Sequence, residues 1–146
     1  ALDPTIQAQI MDLLVHLQRK TGMSVLYISH DLGVIAEICD RVAVMYAGTI
    51  MEIADVHDLF YDPWHPYTIG LLNSMPRMDS TSERLECIDG TVPHFSDMPA
   101  GCPFAPRCKY ATEQCRTGGL PPMTVHGTHS VRCWNHMNRK EGAANG

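Results

Sequence analysis

The chain has 146 residues, enough for one domain and a small appendage, and a hydrophobic content of 45% supports a packed core. Its formal charge of −5 comes from 11 basic and 16 acidic side chains spread along the sequence, which excludes the basic stripe of a nucleic-acid binder. No run of apolar residues is long enough to span a membrane as a helix, and no basic-then-apolar leader opens the chain. Ala1-Leu2-Asp3 reads as the middle of a domain, so a partial chain is expected.

Asp3-Pro4 is a helix start, an acidic N-cap followed by proline at the first helical position. Ile6, Ile10, Leu13, Leu14 and Leu17 then place one apolar stripe on a helix of roughly four turns that Gly22 ends. Met23 to Ile28 is a short apolar run and suits a parallel strand buried on both faces. Ser29-His30-Asp31 breaks it, and helical spacing resumes from Leu32 to Cys39. Arg41 to Met45 is β-branched and apolar; Ala47-Gly48 gives a turn and Thr49 to Ile53 a partner strand. Asp55 caps a short helix through Phe60, and Tyr67 to Ser74 forms another.

After Pro76 the character changes. Seven of the ten prolines lie from Pro76 onward and long apolar periods vanish, so residues 77–146 read as a loop-rich appendage that needs a staple. The first 76 residues are an α/β half-domain, with the strands that should flank Met23–Ile28 expected upstream.

Three constellations carry chemistry. His30 follows a buried strand at its C-terminal end, where open α/β sheets bind ligands; taken alone it reads first as a residue that caps a strand or helix. Pro63-Trp64-His65-Pro66-Tyr67-Thr68 reads as a packing element. Cys102, Cys108, Cys115 and Cys133 stand in the pattern C-x5-C-x6-C-x17-C. Four thiolates at this spacing suit a tetrahedral zinc or an iron–sulfur cluster equally, with disulfides behind both. The absent C-x-x-C knuckle weakens a zinc ribbon. Cys39 reads as a small core residue on a helix face, and Cys87 lies upstream of the pattern. His126 and His129 are alternative zinc ligands, or exposed loop residues.

Together these stretches resemble one family. Ala1-Leu2-Asp3, a helix, a strand ending in His30, and the run Val42 to Asp55 resemble the second half of an ABC ATPase domain, with Asp3 in the D-loop and His30 as the switch histidine. The His65-to-Thr68 stretch, Leu85-x-x-Ile88-x-Gly90-x-Val92-Pro93, and Gly101-Cys102-Pro103-Phe104 with Arg107-Cys108 resemble the ATP-binding subunits of oligopeptide and dipeptide importers. The resemblance implies an ATPase using ATP with Mg²⁺, in which His30 bonds the γ-phosphate and Asp3 couples two nucleotide sites. It also implies a second ATP-binding subunit, permease subunits, an external binding protein and a place on the cytoplasmic membrane face. Some members carry a [4Fe–4S] cluster on four such cysteines. The family's Walker A loop, signature motif, Walker B aspartate and catalytic glutamate precede the D-loop and are not in this sequence, so this segment alone should not hydrolyse ATP. Two other expectations compete: a non-enzymatic metal-binding or interaction module centred on residues 77–146, and an importer ATPase for another cargo such as nickel.

Overall fold

A computed structural model of the chain describes residues 3–75 and 88–136. Ala1, Leu2, Pro76, Leu85 and Cys87 lie outside the described residues. The chain divides after Asp40 into two compact units.

In the first unit, α1 spans Pro4–Thr21. The Asp3 carboxylate accepts from the Thr5 N–H at 2.8 Å, and Pro4 occupies the first turn, where a missing N–H costs nothing. Gly22 closes the helix in the left-handed region (φ 68°), its N–H donating to the Gln18 carbonyl. Arg19 and Lys20 complement the negative end of the helix dipole. The apolar stripe is present but uncovered: Ile6, Ile10, Leu13 and Leu17 are all exposed. The second helix, α2, spans Leu32–Ile38 and buries Ile35.

The strand expected at Met23–Ile28 does not form: residues 23–28 make no strand pairing among the described residues, and Leu26 and Ile28 are 89% and 88% exposed. A parallel strand exists only through hydrogen bonds to neighbours, and among the described residues this segment joins no sheet. The observed sheet is wholly antiparallel instead.

The second unit is built on a hairpin. Strand β1 spans Arg41–Tyr46 and β2 spans Thr49–Asp55. Ala47 and Gly48 both take positive φ (46° and 78°), the two-residue turn whose twist matches that of the flanking strands. Along β1 burial alternates, with Val42, Val44 and Tyr46 inward. On β2 it does not, because the register slips: Val44 opposes Glu52 and Met45 opposes Ile50, leaving Met51 as a bulge. The bulge lets Met51 and Glu52 both be fully buried. Helix α3 (Val56–Tyr61) follows and buries Leu59; α4 (Pro66–Asn73) is capped by His65, whose Nδ1 accepts from the Tyr67 N–H at 3.0 Å.

The tail is less irregular than its composition suggests. Besides single 3-10 turns and α5 (Glu113–Thr117), it holds a second hairpin, β3 (Thr124–His126) and β4 (His129–Val131), around Gly127 at φ 62°. Strand β4 pairs with β2, giving the sheet order β1-β2-β4-β3. Tyr46 and Met51 of the first hairpin share one core with Cys102, Phe104, Ala105 and Cys115. Tyr46, Tyr67 and Phe104 close this core as a ring triad, with centroids 4.8 to 5.3 Å apart. Compactness therefore breaks at Asp40, not near residue 76, because Arg41–Asp55 supplies the sheet edge and the apolar face that the tail needs. Among the described residues no helix is long and apolar enough to cross a membrane.

Candidate functional site

Asp3 and His30 lie in the first unit. Asp3 is exposed, and the Thr5 N–H it accepts holds its carboxyl below the usual range. His30 is exposed in a bend between two local bonds. Ser29 Oγ accepts from the Asp31 N–H, and Asp31 Oδ1 accepts from Gly33 and Val34 at 2.9 and 3.2 Å, capping α2. The Ser-His-Asp run thus anchors its two outer residues in the helix start and leaves the imidazole between them facing solvent. Among the described residues neither Asp3 nor His30 bonds another predicted site residue.

Cys102 and Cys115 share one core, with Cys108 packed against it. Cys102, Cys115 and Cys133 are buried, Cys108 is half-buried, and all are free thiols. The Cys102 N–H donates to the Cys115 carbonyl at 2.8 Å, tying the 102 loop to α5. Gly101 permits that approach, since a Cβ there would run into the same carbonyl. The Ala105 N–H donates to the Cys102 carbonyl, Cys108 to Ala105, Ala111 to Cys108 and Cys115 to Thr112, so three of the thiols ride on successive tight turns. Burial pushes the Cys102 thiol up to about 11, and the neighbouring Cys133, Cys115 and Cys108 add to that. Burial also raises Cys108, as it does Cys133, where Cys115 and Glu52 contribute.

A buried concentration of thiols resists ionising by itself; a cation that binds thiolate reverses this. The donor set therefore fits a soft metal group. Among the described residues, however, no group of three or more His, Cys, Asp or Glu converges on a single ion. Cys39, expected on a helix face, is the half-buried C-cap of α2.

One constellation escaped the sequence altogether. Glu52 is fully buried in β2. Its Oε1 accepts from the Trp64 N–H (2.7 Å) and from His129 Nε2 (2.7 Å); its Oε2 accepts from the His65 N–H (3.0 Å). His129, read from sequence as an exposed loop residue or a zinc ligand, is buried and committed to this carboxylate. Its ring stacks flat on Trp64, centroids 3.6 Å apart and planes within 3°. His126 is exposed, as expected. The available signal was Glu52 itself: an acidic residue inside the apolar run Thr49–Ala54 demands a buried partner. Its partner lay 77 residues away in a segment read as loop.

Comparison with known proteins agrees with the resemblance drawn from sequence. Residues 51–115 match the family described as oligopeptide/dipeptide transporter, C-terminal region. The chain is 49% identical over 135 residues, 92% of its length, to the oligopeptide transport ATP-binding protein OppD of Haemophilus influenzae. It is 51% identical over 98% of its length to the dipeptide transport ATP-binding protein DppD of Bacillus subtilis, and 51% over 90% to OppD of Salmonella typhimurium. It spans only about two fifths of these relatives' own length (41%, 43% and 39%).

Proposed function

We infer that this chain, related as it is to peptide-transport ATP-binding proteins, is the C-terminal portion of the ATP-binding subunit of a peptide importer of the ABC class. The observation that carries this is identity of about one half across more than nine tenths of the chain to proteins named for that role. In the complete subunit, Walker A, signature and Walker B elements contributed by another segment hold ATP and Mg²⁺. Two such subunits close over the nucleotide at the cytoplasmic membrane face and drive permease subunits, to which an external binding protein delivers cargo. Phosphoryl transfer depends mainly on positioning and charge stabilisation. His30, held between two anchored neighbours with its ring free, is suited to bond the γ-phosphate once the site closes. Asp3 both caps α1 and faces the opposite subunit.

His30→Ala in the complete subunit is expected to abolish most ATP turnover while nucleotide binding persists. Unchanged turnover refutes the role.

For Cys102, Cys108, Cys115 and Cys133 the proposal is a [4Fe–4S] cluster rather than zinc. A cluster takes its ligands at four separate iron corners, so its thiolates need not converge on one point as those of a single ion must. Bound, it supplies a staple for the tail and a one-electron redox centre. Protein purified without oxygen should be brown, with broad absorbance near about 400 nm. Colourless protein with one tightly held zinc rejects the cluster.

A further inference from the structure

Three of the four cysteines are positioned by local turns, but Cys133 is 18 residues beyond Cys115, and its local bonds, from the backbone N–H groups of His136 and Asn135 to its sulfur, do not tie it to the other three. What places it is the edge of β2. The bulge at Met51 turns a carbonyl outward, and the Arg132 N–H donates to it at 2.8 Å. The Arg132 guanidinium bonds the Ile50 carbonyl at 3.2 Å and the Pro121 carbonyl at 2.7 Å. On the preceding strand, Val131 opposes Glu52 and Ser130 opposes Ile53. Two paired positions are too few to define a register by backbone bonds alone, because a strand slipped along the edge forms as many. A slip of one residue would turn Cys133 to the opposite face. The side-chain bond from His129 to Glu52, closed over by Trp64, is available in one register only.

We propose that Glu52 and His129 form a register latch: they are positioning residues that hold β4 in the one alignment that turns Cys133 toward Cys102, Cys108 and Cys115. An acidic side chain buried in the ATPase-side hairpin thereby decides whether the tail's metal site is complete. Cys133 also lines an open cleft of about 430 Å³ with Trp64, Pro66, Ile69, Tyr110, Asn135 and His136, so a small opening there suffices to admit a reagent to its thiol. The metal-binding half of this inference rests on the assignment of the four cysteines above; the register half does not.

The test uses the full chain, anaerobic and reduced. Each cysteine's alkylation by iodoacetamide is followed by peptide mass spectrometry on metal-free aliquots, and iron is counted in the rest. His129→Leu should speed alkylation of Cys133 by about tenfold or more while leaving Cys102 and Cys115 slow, as expected for a local opening. His129→Gln, which keeps a donor for Glu52, should restore slow alkylation. Iron retained by the parent chain should be lost in His129→Leu and kept in His129→Gln. Equal acceleration at all three cysteines, no acceleration at Cys133, or a His129→Gln variant that behaves like His129→Leu would each overturn the latch. A parent chain that takes up no iron defeats the cluster assignment instead, and the alkylation rates still decide the latch.

Discussion

Glu52→Ala is expected to destabilise the second unit by about 3–5 kcal/mol, the usual loss when one partner of a buried charged or polar pair is removed. Three donors are left facing a cavity: the N–H groups of Trp64 and His65 and Nε2 of His129. The side chain removed has no exposed surface, and the His65 and His129 donors are buried with it. The effect is not only local. Trp64 and His65 lead into α4, and His129 opens β4, so the carboxylate ties the paired strands β2 and β4 to the start of a helix that lies outside the sheet. Glu52→Gln should cost less, about 1–3 kcal/mol. With its amide oxygen at the Oε1 position it still accepts from Trp64 and His129, but its NH₂ then faces the His65 N–H. Urea unfolding of the chain and the two variants checks the order. A loss below about 1 kcal/mol for Glu52→Ala would mean that the three donors find other acceptors, and the account of the site would fail.

Elements governed by local chemistry were legible. Asp3, Pro4 and Gly22 bounded α1; helical spacing from Leu32 marked α2; Ala47-Gly48 placed the first hairpin; the helix read as Tyr67 to Ser74 is α4, shifted by one residue. These features depend on neighbours in sequence, and the residue types carry them. The failures share one cause, dependence on distant partners. Met23–Ile28 has the composition of a buried strand, but composition supplies no hydrogen-bonding edge, and those residues remain exposed. The tail hairpin was hidden because three-residue strands are too short for alternation to register, and because its stability comes from β2 rather than from its own side chains. Burial of Cys102, Cys115 and Cys133 in the tail is observed. That Cys102 and Cys115 share a core with Tyr46 and Met51 was not legible, and it is why residue 76 is no boundary of packing. His129 was misread for the same reason as the hairpin: a histidine between Thr128 and Ser130 looks solvated until the strand that carries it is docked.

The second large effect is a pH dependence. Burial pushes His65 down to about 4, from an ordinary value of about 6.5. The geometry enforces the neutral form independently. Nδ1 accepts the Tyr67 N–H at the start of α4, so the proton of the neutral ring sits on Nε2, and a second proton on Nδ1 would break the cap. The sign follows from proton counts. Above about 6.5 neither folded nor unfolded His65 is charged, and the contribution is complete. Between about 6.5 and about 4 the unfolded chain binds a proton that the folded chain refuses, so stability falls as the pH falls through that window. At roughly 1.4 kcal/mol per pH unit the full loss approaches about 3 kcal/mol. Other histidines and the carboxylates add their own slopes, and the informative quantity is therefore the difference from His65→Asn. Asparagine keeps an N-cap acceptor but does not titrate. At pH 7 the variant should be less stable than the parent chain by the packing it loses around Phe104, whose ring centroid lies 5.8 Å from that of His65. Towards pH 4.5 that gap should narrow by about 2–3 kcal/mol, because only the parent chain still loses stability at this position. A gap that stays constant from pH 7 to pH 4.5 would mean that the folded chain accommodates a charged His65, with α4 releasing its cap to do so.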